Sequence, residues 1–236
     1  MTIAPAAVPR QCLRPTYPAL VGSGNLAAIA FSFADCPLMN SRKIRLYLAS
    51  GSPRRREILE QLGFQLERVH ADIDETVQPG EDAASYTQRL AVEKAAAGWS
   101  VAMALGLPSR PLLSADTTVV LDGEIFGKPT DADDAFRMLR AFSGRTHQVL
   151  TSVAIREGER TEIATSCTDV TFKPLTDAEI ERYLDTGEPF DKAGAYGIQG
   201  KASVFVQHIS GSFTGVVGLP VFETAQLLAA FDITLP

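Results

Sequence analysis

The sequence is poor in cysteine, histidine and net positive charge, and each shortage excludes a class of protein. Three scattered cysteines in 236 residues cannot build a disulfide framework or a zinc site, which favours a reducing cytoplasm. The three histidines have no metal-ligand spacing. A net charge of −6 argues against a general nucleic-acid binder. No apolar run reaches the ~18 residues that a membrane-spanning helix needs, so no membrane partner is expected.

The composition changes at about residue 40. The first forty residues are interrupted by prolines and keep no helical or strand periodicity, so we expect residues 1–40 to form a poorly ordered extension. Residues 32–34 have some likeness to a signal-peptidase site, although the segment before them is long for such a signal. Met39 offers an alternative start of translation. Residues 41–236 are numerous enough for one folded domain with a sizeable core.

The most informative segment is Ser50–Arg56, which follows the apolar run 46–49. It predicts a buried strand, a tight turn and a helix with Ser52 as N-cap and Pro53 at the first helical position. Three arginines then occupy the first turn, where the helix dipole disfavours each by ~0.3–1 kcal/mol. This conflict suggests a compensating anion, and backbone N–H groups, serine hydroxyls and guanidinium groups together suit a phosphate. The alternative is a solvated basic turn.

Strand and helix patterns alternate along the rest of the chain. This alternation predicts an α/β fold, a mixed sheet with flanking helices in two lobes around a cleft. Asp122-Gly123 predicts a hairpin turn, and Thr176 with Glu179 predicts a capping box that starts a helix. The other predicted elements are strands or hairpins over 44–49, 66–70, 112–121, 146–172 and 202–209, and helices over 53–62, 83–103, 131–142 (capped by Thr130) and 220–231.

Asp116 interrupts the apolar pattern of 112–121. An unpaired buried carboxylate is costly, so this residue needs a partner. At a strand end it could bind a divalent metal or accept a proton from water, or it could bond to local backbone N–H groups. Two interpretations are also open for three other charged residues, Lys128, Lys94 and Glu75. They are either ligands of a phosphate or metal, or charges that are simply solvated.

The segment Asp191–Gly200 has glycines at three-residue spacing, which rule out a regular helix and let the backbone approach a ligand closely. Lys192 adds a cation, and Gln199 adds an amide that both donates and accepts hydrogen bonds. The spacing is not that of a dinucleotide-binding fingerprint, and no Walker A motif, zinc-protease helix or nucleophile elbow occurs. We interpret His147 as a satisfied strand-edge histidine and not as a catalyst.

Together these features are a phosphate-binding helix start, a central carboxylate, scattered cations and a glycine-rich wall. No covalent nucleophile with an adjacent base is visible. Metal-assisted attack of water on a phosphoanhydride fits this combination. The residues alone therefore predict a nucleotide or polyphosphate hydrolase.

From about residue 44 to residue 231 the chain closely resembles the Maf family of nucleoside triphosphate pyrophosphatases. Seven landmarks occur in the order that the family has them: LASGSPRR at 48–55, EKA at 93–95, ADT at 115–117, GKP at 127–129, SG at 143–144, DKAGAYGIQG at 191–200 and VGLP at 217–220. The fold that this resemblance implies is a mixed α/β architecture of the Maf and inosine triphosphatase type with a deep cleft.

The resemblance also implies an activity, cleavage between the α and β phosphates of a nucleoside triphosphate with a divalent cation, Mg²⁺ or Mn²⁺. It implies that Asp116 is the proton acceptor and that Glu75 assists, and we assign both carboxylates to the metal. Homodimers are common in the family, so we expect one here. The expected phosphate contacts are Arg54, Arg55, Lys94 and Lys128 by resemblance, together with Ser50, Ser52 and Lys192.

Three positions distinguish the branches of the family, here Arg54, Thr117 and Gln199, and this set resembles the dTTP/UTP branch. We hypothesise that the neutral Gln199 amide pairs with the mixed donor and acceptor edge of uracil, whereas a glutamate would suit the donor edge of guanine. The implied role is house-cleaning of the nucleotide pool. Two alternatives stay open, a 7-methyl-GTP pyrophosphatase and a non-catalytic nucleotide-binding regulator of septum formation.

Overall fold

The computed structural model describes residues 44–70 and 72–235. The predictions for residues 1–40, an extension and an alternative start, lie outside the described residues. In the described part of the chain, none of the helices is long and apolar enough to cross a membrane.

A mixed sheet of seven strands organises the described residues, in the order β2-β1-β3-β5-β6-β7 with β4 beside β3. The strands are β1 (Arg45–Leu48), β2 (Gln65–Arg68), β3 (Leu112–Leu121), β4 (Glu124–Phe126), β5 (Thr146–Glu157), β6 (Arg160–Phe172) and β7 (Val206–Ser210). Strand β1 runs parallel to β2 and β3, and all other pairs are antiparallel. The predicted mixed α/β sheet is confirmed.

Helices flank this sheet. They are α1 (Pro53–Gln61), α2 (Ala83–Ala104), α3 (Ala132–Phe142), α4 (Asp177–Leu184), α5 (Phe213–Val217) and α6 (Val221–Ala229). Short 3₁₀ helices cover Glu188–Asp191, Ala193–Ala195 and Lys201–Phe205, so the glycine-rich segment has no regular α-helix, as predicted.

Helix α3 shows how the local sequence sets these elements. Its buried residues recur at helical spacing, Ala135, Met138, Leu139 and Phe142. Two acidic residues lie in its first turn and an arginine in its last turn, which complements the helix dipole.

Two local predictions are wrong. The N-cap of α3 is Asp131 and not Thr130, because the Asp131 carboxylate accepts from the backbone N–H of Asp134 at 2.8 Å. The predicted strand 202–209 is only partly a strand. Its first half belongs to the 3₁₀ helix Lys201–Phe205, in which Ser203 N–H donates to Gly200 O, and β7 begins at Val206.

Hydrophobic clusters lie on both faces of the parallel strands. Leu46 and Leu48 of β1 pack with Leu59 of α1 on one face, while Tyr47 packs with Trp99 of α2 on the other. A third cluster joins α3, α4 and the glycine-rich segment to the antiparallel strands. The cavity described next is lined by residues from the parallel and the antiparallel parts of the sheet.

Candidate active site

A cavity of about 860 Å³ lies at the carboxyl ends of β1 and β2 and beside β3. Its volume lies in the range of small-molecule and cofactor sites. All eleven residues predicted for the site line it: Ser50, Ser52, Arg54, Arg55, Glu75, Lys94, Asp116, Thr117, Lys128, Lys192 and Gln199. Their roles stay predictions.

Helix α1 points its N-terminus into this cavity. Ser52 has the extended backbone of an N-cap, but its side chain makes no capping hydrogen bond. Pro53 follows, and the first turn contains no acidic residue. The first backbone N–H groups of the helix therefore have no side-chain acceptor and face the cavity with the positive end of the helix dipole. Such an end accepts an anion readily.

Arg55 connects this helix start to two other elements. Its Nε donates to Gly218 O at 2.7 Å, and its Nη1 and Nη2 donate to the hydroxyls of Ser50 and Thr117 at 3.0 Å each. Burial lowers the pKa of the guanidinium group, and the nearby Asp116 carboxylate opposes this shift. Three of the five N–H donors of Arg55 are thus used within the protein.

The Thr117 hydroxyl is also engaged within the protein. It accepts from Arg55 Nη2 and lies 2.9 Å from the hydroxyl of Thr151 in β5. Thr117 lines the cavity with its hydroxyl already engaged, so a role in specificity can act through the position of Arg55.

A cluster of three charges lies opposite α1. Lys94 of α2 places its Nζ 2.7 Å from Asp116 Oδ1 and 2.7 Å from Glu75 Oε1, so one ammonium group joins both predicted metal ligands. Asp116 lies within the continuous strand β3 and is 8% exposed. Its other carboxylate oxygen accepts from Thr118 Oγ1 at 3.4 Å. The partner that a buried carboxylate needs is therefore the Lys94 ammonium.

Tyr86 supports the loop that carries Glu75. Its hydroxyl donates to Glu75 O at 2.9 Å. Burial, together with the charges of Asp116 and Glu75, raises the pKa of Tyr86 to about 12, so the phenol keeps the proton that this hydrogen bond needs.

The glycine-rich segment forms the wall across the cavity from α1. Arg54 Nη1 lies 3.5 Å from Asp191 Oδ2 and so links the two walls. Lys192 Nζ donates to Glu188 O at 2.6 Å and pairs with Asp191. The charge of Lys192 is therefore partly compensated by residues of its own segment. Gly194 has a φ of +70°, and a Cβ on it would lie 2.9 Å from Val119 Cγ2 of β3, so this close approach requires glycine.

His147 is buried and lies in a central strand, so its interpretation as a strand-edge histidine is wrong. Its Nε2 is 2.8 Å from the Tyr196 hydroxyl, while its Nδ1 is buried with no hydrogen-bond partner among the described residues. Burial lowers the pKa of His147 to about 4, so the ring is neutral near pH 7. It packs with Phe142 at a centroid distance of 4.4 Å and anchors Tyr196, a residue of the cavity wall.

The cavity residues that were not predicted as site residues include Arg68, Tyr86 and Asp191. Arg68 reaches the cavity only through tertiary pairing, which no local pattern reveals, whereas Asp191 begins the glycine-rich segment that the sequence singles out. The sequence does indicate the position of Tyr86, since it lies about two helical turns before Lys94 and on the same side of α2.

Fold and site define an α/β protein with an anion-accepting cleft beside a lysine-paired carboxylate. The chain belongs to the Maf-like protein family, whose model matches residues 45–231. A Chromobacterium violaceum protein named dTTP/UTP pyrophosphatase is 72% identical over 198 residues, which cover 84% of this chain and 100% of that protein. Proteins of the same name from Aromatoleum aromaticum and Ralstonia nicotianae are 52% and 54% identical, covering 84% and 80% of this chain and 100% and 95% of their own lengths.

Proposed function

We propose that this chain is a nucleoside triphosphate pyrophosphatase that hydrolyses dTTP and UTP to the monophosphate and pyrophosphate. The names of its relatives support the substrate class. The observation that carries the chemistry is the convergence of the α1 N-terminus and the Asp116–Lys94 pair on one cavity. We also propose that the protein is a homodimer and that it is located in the cytoplasm.

In the proposed reaction, the α1 N-terminus and the nearby cations bind the triphosphate and neutralise charge on the departing pyrophosphate. Asp116 accepts a proton from the attacking water, while Lys94 holds the carboxylate in place at 2.7 Å. The oxygen of that water forms a new bond to the α-phosphorus as the bond to the bridging oxygen breaks. Asp116 then carries the proton, and the pyrophosphate leaves with the bridging oxygen.

Asp116 and Glu75 suit a divalent cation, because both carboxylates reach the same ammonium nitrogen and so lie close to one another. In the described residues no group of three or more histidine, cysteine or acidic side chains is arranged to hold a metal. Two protein carboxylates completed by substrate phosphates are the usual coordination of Mg²⁺. When bound, the ion supplies positive charge to the phosphates and lowers the pKa of a bound water.

The proposal is tested by pyrophosphate release from a panel of triphosphates with Mg²⁺, including dTTP, UTP, ATP, GTP and 7-methyl-GTP. We expect the pyrimidine nucleotides dTTP and UTP to be the best substrates. Asp116→Asn should lose roughly 10²–10⁴-fold in kcat. The matched control is Asp169→Asn, which removes a carboxylate from β6 outside the cavity.

Each alternative function has its own outcome in this experiment. Preference for 7-methyl-GTP would replace the dTTP/UTP assignment with the other branch. Tight nucleotide binding without any hydrolysis would favour a regulator. Full activity of Asp116→Asn would remove Asp116 from catalysis.

The choice of base is tested at Gln199, which lines the cavity. If its amide pairs with the uracil edge, Gln199→Glu should shift the ratio of kcat/KM for UTP over 7-methyl-GTP toward the purine by roughly 10-fold. An unchanged ratio would contradict the base-reading role and leave the hydrolytic assignment intact.

A further inference from the structure

Arg68, at the end of β2, is a cation of the cavity that the predicted phosphate contacts do not include. The parallel register pairs Arg68 with Leu48, whose side chain packs on the α1 side of the sheet. Register partners in a sheet share a face, so Arg68 also lies on that side. A Cβ built on Gly51 would lie 3.1 Å from Arg68 Nη2. The guanidinium group therefore lies against the turn that leads into α1.

The guanidinium group of Arg68 has no side-chain partner among the described residues. In the described part of the chain it makes no hydrogen bond or ion pair, unlike its neighbours. Arg55 uses three donors on protein groups, and Arg54 pairs with Asp191. Of the three arginines that line the cavity, Arg68 is the one with no hydrogen bond or ion pair to another described residue.

The strand order places Arg68 at one end of the cavity. Strand β2 is the outer strand, β1 with its phosphate-binding turn comes next, and β3 with Asp116 follows. Strands lie ~4.8 Å apart, so the backbone at Arg68 is roughly 10 Å from β3. The glycine-rich segment contacts the far side, where Gly194 lies against Val119 of β3. Arg68 thus lies two strands away from β3, whereas the segment that carries Gln199 contacts β3 itself.

From this order we infer that Arg68 binds the terminal phosphates, the pyrophosphate half of a nucleoside triphosphate. The inference rests on the proposed function for the orientation of the nucleotide. The base lies toward Gln199, the scissile α–β bond lies at Asp116, and the β and γ phosphates extend past the α1 N-terminus to Arg68. A guanidinium fork matches two oxygens of a terminal phosphate.

The test is calorimetric binding of three ligands in the presence of Mg²⁺: UMP, inorganic pyrophosphate and α,β-imido-UTP, whose bridging nitrogen resists cleavage. Arg68→Gln should weaken pyrophosphate and α,β-imido-UTP roughly 10-fold, which is the loss of one charge-assisted hydrogen bond. The affinity for UMP, which has no terminal phosphates, should stay within twofold of the unsubstituted protein, or roughly 0.4 kcal/mol.

Arg56→Gln is the matched control. Arg56 belongs to the same helix start, but its Nε bonds to Glu60 at 2.7 Å and it does not line the cavity. Removing this charge should leave all three affinities unchanged. Arg68→Lys should recover part of the loss, because it restores the charge without the fork.

Equal affinities of Arg68→Gln and the unsubstituted protein for pyrophosphate would overturn the inference. Equal losses of affinity in Arg68→Gln and Arg56→Gln would also overturn it, because they would indicate a non-specific electrostatic effect and not a direct contact. A loss for UMP as large as that for α,β-imido-UTP would move the contact away from the terminal phosphates. Pyrophosphate carries no nucleoside, so the expected loss of pyrophosphate affinity can be observed even if the pyrimidine assignment fails.

Discussion

Helices α1 and α4 begin in opposite ways. In α4, the Thr176 hydroxyl accepts from Glu179 N–H at 3.3 Å, and the Glu179 carboxylate accepts from Thr176 N–H at 2.9 Å. Acidic residues in its first turn complement the dipole. In α1, the N-cap side chain makes no such bond, no acid is present and arginines follow. The first N–H groups of α4 are thus bonded to side chains of the helix itself, whereas those of α1 have no side-chain acceptor.

This difference separates residues that stabilise the fold from residues that serve a ligand. A closed helix start contributes to stability through its capping bonds. An open start gives up that contribution and keeps its N–H groups for an anion. Substitutions at the start of α1 should therefore change activity, whereas substitutions at the start of α4 should change the free energy of unfolding.

Among changes to these two helix starts, the largest expected effect comes from closing α1. Ser52→Asp supplies a capping carboxylate to the arginine-rich first turn, which should stabilise the protein by ~0.5–1 kcal/mol. The same carboxylate repels a phosphate at the helix end, so the KM for UTP should rise roughly 30- to 150-fold, corresponding to about 2–3 kcal/mol. Urea unfolding and steady-state kinetics measure the two effects. Ser52→Asn, a neutral cap, should raise KM far less, and equal KM values for the two variants would refute an anion site.

A smaller effect is expected from opening α4. Thr176→Ala removes the capping hydroxyl and should reduce the free energy of unfolding by ~1 kcal/mol. The kcat/KM for UTP should not change, because Thr176 does not line the cavity. Thr176→Ser keeps the hydroxyl and is the control. A fall in kcat/KM without loss of stability would break the proposed separation.

The smallest effect is a difference in acid sensitivity. The hydrogen bond from Lys173 and those from Thr176 lower the pKa of Glu179 to about 2. Since the carboxylate is favoured in the folded state, its contribution to stability is complete above about pH 4.5 and is lost as the pH falls toward 2. Glu179→Gln should flatten the pH dependence of the melting temperature in this window. An unchanged slope would show that the capping box does not contribute to it.

Features of the fold that depend on neighbours in sequence were predictable. The capping box at Thr176, the hairpin turn at Asp122-Gly123, where both residues have positive φ, and the burial pattern of α3 all follow from local rules. The error at residues 202–209 has a local cause too, since the β-branched and aromatic run Val204 to Val206 is typical of a strand although its first two residues belong to the 3₁₀ helix that precedes β7.

The predicted site residues all line one cavity, but the contacts among them were not predicted. That Lys94 would join Glu75 to Asp116 depends on how α2 packs against β3. Asp191 meets Arg54 across 137 positions of sequence, and Arg68 reaches the α1 turn only because β2 pairs with β1 in one register. Such contacts depend on topology, which composition and periodicity do not specify.

Strand β3 gives Asp116 a particular place in the motions of the protein. It pairs with β5 from Leu112 to Val120, whereas its pairing with β1 ends at Leu113, so of these two strands β5 alone holds the backbone of Asp116. The amide hydrogen of Asp116 should therefore exchange with solvent more slowly than that of Glu75, which lies in a loop. Of the two predicted metal ligands, Asp116 is then the one whose backbone the sheet restrains.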